Sequence, residues 1–224
     1  MDDGAYRSLE FDGVDLSSRD ADTVEFEGCR FVDMRFSGTV MRRGGFSNVA
    51  MERCDLSNMS ARSSSMHRTR VTASRLTGMA WSECGFRDVL FDACRGDLTG
   101  FRFPTFKNVV FRDSNMLEVN FQNADLRGVR FERCDTGAQF SNAQMEGARF
   151  NDCVLLGIGG VTSLKGVTVR TSDAQSSTAS QTPWDPHRGL VVAKGLVTAG
   201  DLTVSAPLGG LPEGRIHGAL LKRS

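Results

Sequence analysis

Only one tyrosine and two tryptophans stand among the 224 residues, beside 15 phenylalanines. Proline is sparse, at five, and histidine, the usual proton carrier near neutral pH, appears three times. Net charge is absent: 27 Lys and Arg balance 27 Asp and Glu, so bulk charge marks neither a nucleic-acid binder nor an acidic mimic of one. No apolar run is long enough for a membrane-spanning helix. The opening Met1-Asp2-Asp3-Gly4 is acidic where a secretory leader is apolar. The expected compartment is therefore the cytoplasm, where the six cysteines stay thiols. Asn58-Met59-Ser60 spells a glycosylation acceptor, which without a leader is a chance match.

What the chain has in plenty is phenylalanine, and a preference for Phe over Tyr suits a dry interior with no ring hydroxyl to satisfy. All of the 15 except Phe103 occupy the centres of a five-residue period. The period runs from Phe11 through Leu16, Ala21 and Phe26 to Thr136, broken in character only at Ala21, Ala61, Gly96 and Thr136. One residue is then missing, and the phase resumes at Phe140, Met145, Phe150 and Leu155. A second column lies two residues earlier, from Leu9 to Cys153, and is filled mostly by Cys, Val, Ala, Ser, Thr and Met. Arg19 is its one charge, and it holds Cys29, Cys54, Cys84, Cys94, Cys134 and Cys153.

A period of five fits neither regular element. Residues five apart on a helix are rotated by about 140° and share no face, and on a straight strand they alternate between faces. A chain that turns a corner every five residues keeps both columns inward. Four corners close a square coil of about 20 residues, and stacked coils pair as short parallel strands spaced ~4.8 Å apart.

Units such as Cys29-Arg30-Phe31-Val32-Asp33, Cys54-Asp55-Leu56-Ser57-Asn58 and Ala124-Asp125-Leu126-Arg127-Gly128 resemble the pentapeptide-repeat proteins, whose unit is Ala-[Asp/Asn]-Leu-x-x. The resemblance covers about two thirds of the chain. It implies an all-β fold, a right-handed quadrilateral parallel β-helix roughly 36 Å long, with an irregular C-terminal tail. Residues 1–8 read as a lead-in, 9–170 as the β-helix with a closing segment from about 158, 171–188 as a Ser/Thr/Gln/Pro-rich linker, and 189–224 as a Gly-rich tail or a small β cap. Gly157-Ile158-Gly159-Gly160 lacks the strand–turn–helix setting of a phosphate loop and reads as part of the closure. Three irregularities are expected. The short unit Thr136-Gly137-Ala138 should leave a four-residue face, a kink or a tighter corner, Pro104 should forgo a ladder hydrogen bond, and Ala21 and Gly96 should leave thin spots.

No residue set points to catalysis. The cysteine spacing follows the fivefold register rather than a metal clamp, so the thiols read as packing. His67 follows the inward Met66 and should point out, while His187 and His217 lie in the tail. Neither an enzyme, a metal nor a cofactor is expected, so function should lie on the outside. Residues 1–27 hold nine acids and two arginines, whereas 28–170 hold 20 bases and 14 acids. Two candidate binding surfaces follow: an acidic end of Asp12, Asp15, Asp20, Asp22, Glu25 and Glu27, and a basic stripe of Arg42, Arg62, Arg87, Arg102, Lys107 and Arg127. The resemblance implies a non-catalytic protein that modulates DNA gyrase or topoisomerase IV and protects it against inhibitors, hence antibiotic resistance. Members of that branch resemble duplex DNA in diameter and negative charge. A general protein-interaction scaffold and a polyanion binder that uses the basic stripe stay open beside it. No membrane partner and no direct nucleic-acid binding are expected. Homodimerisation is left open, because the tail does not resemble the amphipathic helix with which dimerising members continue.

Overall fold

The structure is a computed structural model and describes residues 2–170 and 203–205. The readings of 171–188 as linker and of 189–224 as tail or cap lie outside the described residues, Thr203–Ser205 excepted. What is described is an all-β parallel solenoid; its one helical element is a 3₁₀ turn at Val161–Leu164. On the first of its four faces, Phe11, Phe31, Met51, Val71, Phe91, Phe111 and Phe131 pair in sequence at a spacing of 20 residues, followed by Phe150, Val169 and Val204.

Each corner is made by the residue two places after a centre, held in the left-handed region: φ is 50° at Asp33, 55° at Asn58, 61° at Leu98 and 53° at Phe103. Such a backbone costs an L-residue roughly 1–2 kcal/mol, less for Asn or Asp. The fivefold repetition of that turn is what converts extended chain into a square coil. The faces are not equivalent. The second face carries no strand and pairs only by single bridges, from Asp15–Arg35 through to Asp135–Val154. At Asp15, Asp55 and Asn115 the side-chain oxygen accepts the N–H two residues on, at 2.9, 2.9 and 3.0 Å, which bends the unit into a turn. The third and fourth faces are strands in the early coils and become turns at Asn120 and Asp125, where the same bond appears at 2.8 and 3.3 Å.

Inside, the rings stack in files one coil apart. Phe91, Phe111, Phe131 and Phe150 follow at 4.9, 5.2 and 4.7 Å on the first face, and Phe101, Phe121 and Phe140 at 5.1 and 5.4 Å on the third. Neighbouring files meet edge to face, as Phe111 and Phe121 do at 5.9 Å and 70°. The small column does more than fill space. Ser64, Ser74 and Ser114 each take the N–H of the residue one coil below, at Gly44, Cys54 and Cys94, at 3.0 Å, and Cys84 and Cys153 take those of Ser64 and Cys134 at 3.5 Å. Column N–H groups of this kind bond to side chains and not to the backbone ladder. Proline at 104 therefore sits where a ladder bond need not be lost: the strand Thr105–Arg112 starts just after it, and its carbonyl still accepts Asp125 N–H at 3.2 Å.

The repeat begins earlier than residue 9. Strand Asp2–Arg7 pairs with Asp20–Glu27 in register, and Tyr6 stacks on Phe26 at 5.2 Å. Residues 2–7 are thus a side of the first coil and not a lead-in, with the lone tyrosine as its centre. The missing residue is absorbed by a tight turn in which Ala138 N–H donates to Thr136 C=O at 2.5 Å. The space opposite Gly96 is taken by the Met116 sulfur, while Ala21 lies beside a void of only about 20 Å³. Gly160, at φ 72°, closes the rod; a Cβ there would run into the backbone of Phe140 and Ser141.

Candidate binding face

The six acids of the N-terminal end do not share a face. Asp12 stands on the first face, Asp15 on the second, Asp20 and Asp22 on the third, and Glu25 and Glu27 on the fourth, so they form a girdle round the first coil. Three of the six meet arginines. Asp15 meets Arg35 at 3.5 Å, Asp22 meets Arg43 at 2.5 Å and Glu27 meets Arg7 at 2.9 Å. Bonds from Ser17, and then the charge of Arg35, hold the Asp15 carboxyl below its usual range. The Glu25 carboxylate occupies the space that a side chain at Gly45 would need.

The basic stripe divides in two. Arg42, Arg62 and Arg102 lie on the third face, with Arg42 next to Arg62 and Ser82 between Arg62 and Arg102. Arg62 is held by Glu83 at 3.3 Å, and Arg102 lies over the Phe103 ring at 5.4 Å. Arg87, Lys107 and Arg127 lie round the corner on the fourth face, in one column with His67. Beside that column the outward position is small: Ser65, Gly85 and Thr105 are neighbours in register. Small beside long makes a trough of about 900 Å³, with Ser65, Gly85 and Thr105 as floor and His67, Arg87 and Lys107 as rail. Its far end is closed where the face changes from strand to turn, by Asp125, Arg127 and Gly128.

Ion pairs are frequent on the first face. There and at its corner, Arg53 grips Asp33, Arg112 grips Asp92 and Arg133 grips Asp113, each across one coil with both guanidinium bonds between 2.6 and 2.9 Å. Each arginine holds its partner's carboxyl below the usual carboxylate range. In the trough, Arg127 turns back on Asp125 at 2.6 Å, and Asp88 is shared by Asn108 at 2.7 Å and His67 at 3.8 Å. Arg87 and Lys107 are exposed, and among the described residues neither has an ion-pair partner. The split stripe was legible in the fivefold count; the trough was not, because it depends on the change of backbone at Asp125.

The six cysteines are buried and unpaired. Burial pushes the thiols of Cys54 and Cys84 up, and that of Cys94 up to about 11; Cys153, packed against the Cys134 sulfur, is raised as well. Among the described residues no group of three His, Cys, Asp or Glu could hold a metal ion.

Such a fold defines a class: four-sided parallel solenoids built of five-residue units, with a ring-filled interior and a polar outside. The solenoid is of the pentapeptide-repeat kind, and eight copies match that family, "Pentapeptide repeats", over residues 22–58 and 101–135. No curated protein matches the chain. Among solved structures it is similar to full-length QnrB1, described as a plasmid-mediated fluoroquinolone resistance protein, at 15% identity over 85% of this chain and 98% of that one, with a TM-score of 0.36. It is also similar to HetL, a pentapeptide repeat protein involved in heterocyst differentiation regulation from the cyanobacterium Nostoc sp. strain PCC 7120, at 14% identity over 74% and 89%, with a TM-score of 0.29.

Proposed function

We propose that this chain is a non-catalytic binding rod whose working surface is the trough on the fourth face, and whose partner is a protein with an anionic surface. One observation carries the reading. Arg87 and Lys107 stand in adjacent coils with no carboxylate holding either, while Arg53, Arg112 and Arg133 each grip an acid one coil away. Like charges at ~4.8 Å repel in the isolated protein, and an anionic partner turns that repulsion into attraction and speeds encounter. The test is retention on immobilised poly-glutamate. The pair Arg87→Glu/Lys107→Glu should elute at lower salt than Arg42→Glu/Arg102→Glu, which changes net charge equally on the other half of the stripe. Equal elution overturns the assignment to the trough.

Modulation of DNA gyrase or topoisomerase IV is the second reading, supported by the family resemblance and by the acidic girdle of the first coil. Mimicry needs carboxylates where a DNA-binding groove expects phosphates, and Asp12, Asp15, Asp20, Asp22, Glu25 and Glu27 are the dense set. Supercoiling by purified gyrase, with and without a quinolone, decides it. An effect of the wild type that is lost when those six are changed to Asn or Gln supports the reading, and no effect at concentrations well above the enzyme's removes it.

A further inference from the structure

The trough has a dimension as well as a charge. We propose that its occupant is an α-helix of the partner protein, lying along the rod axis and presenting acids three and four residues apart; this rests on the trough being the working surface. Rungs of the rail rise by ~4.8 Å per coil, so its ends, His67 and Lys107, are about 9.6 Å apart along the rod. Acids at i, i+3 or i+4, and i+7 of a helix rise by about 4.5–6 and 10.5 Å, within side-chain reach of each rung. An extended acidic segment repeats on one side only every 6.6–6.8 Å and drifts out of phase by the second rung.

Gly85 points the same way. Its backbone is not left-handed, and a Cβ there would meet nothing nearer than Thr105 Oγ1 at 3.7 Å. Neither the turn nor the packing of the coil asks for glycine at the centre of this floor. Gly85 opens the strand Gly85–Asp92, and with no side chain there the floor of Ser65, Gly85 and Thr105 leaves room for a cylinder to lie close. Nucleic acid fits less well. Within the trough only Arg87 and Lys107 are uncommitted, few for a phosphate backbone, whose binding rests on many such contacts. The rings under the floor, Phe86 and Phe106, are buried, so no platform is offered to single-stranded bases.

The experiment measures fluorescence anisotropy of three labelled probes at low salt and at physiological salt: an alanine-based helical peptide with Glu at i, i+4 and i+7, the same peptide broken by a central proline, and a single-stranded oligonucleotide. The helical peptide should bind wild type at least tenfold tighter than either other probe. Gly85→Val, which leaves every charge in place, should weaken it at least tenfold without lowering the melting temperature, and Arg42→Glu should not change it. Equal or tighter binding of the broken peptide or the oligonucleotide, or unchanged binding to Gly85→Val, overturns the helix. If Arg87→Glu/Lys107→Glu still weakens all three probes in that case, the trough survives as the working surface; if it weakens none, both readings fall.

Discussion

Val109 is 1% exposed in the small column, whereas Arg127 is exposed on the outside of the fourth face. The two positions should behave oppositely. Val109→Asp buries a carboxylate with no partner and is expected to cost about 3–5 kcal/mol, whereas Arg127→Ser loses one exposed pair and should cost about 1 kcal/mol or less. Urea melts of the two variants check the inward and outward assignment, and similar midpoints would contradict it. The thiols offer a second probe. With Cys94 raised to about 11 and Cys54 and Cys84 also raised by burial, few of them are ionised at pH 8. All six should react with a thiol dye no faster than the chain unfolds, and rapid labelling of any one would place that sulfur outside the stack.

The corner is the element that distinguishes this chain from ordinary β-structure, and its cost depends on what occupies it. Leu98 sits at φ 61° and is 57% exposed, whereas Asn58 holds the equivalent corner two coils earlier at φ 55°. Leu98→Asn relieves an unfavourable backbone at a site where the leucine buries little, and should raise stability by about 0.5–1 kcal/mol. A lowered denaturation midpoint would mean that Leu98 packs against something after all. Which residues face inward was legible from the sequence because the period of five is independent of what each corner contains. Which faces are strand and which are turn was not, since both backbones keep that period; only the Asx bonds at Asp55, Asn120 and Asp125 hint at the difference. Ion pairs were equally hidden. Arg53 follows Glu52 in the chain yet grips Asp33, and the distance in sequence that matters is one coil. Tyr6 escaped the count because a lone tyrosine breaks the Phe, Leu and Met usage of the centres.

For the whole rod, these ladders set the response to acid. The carboxyls of Asp33, Asp92, Asp113 and Asp125 are each held below the ordinary 3.8 by an arginine. A group depressed in the folded state contributes stability above its unfolded value and loses it as pH falls through the lower folded value. The contribution of these pairs should therefore be constant from pH 7 to about 5 and decline below about 4; urea midpoints along that range test it, and a midpoint that rises on acidification would show the pairs to be destabilising. The short unit at Thr136 also acts at this scale. It leaves Asp135 Oδ1 buried without a hydrogen-bond donor. Yet the rings continue to stack across it, Phe131 on Phe150 at 4.7 Å and Phe121 on Phe140 at 5.4 Å. It behaves as a dislocation does in a crystal: the misfit is confined to a small core, and the lattice on either side is unaware of it. A chain built this way can lose a single residue at a corner and keep every later side chain on its own face, which a flat sheet with one fixed register cannot do.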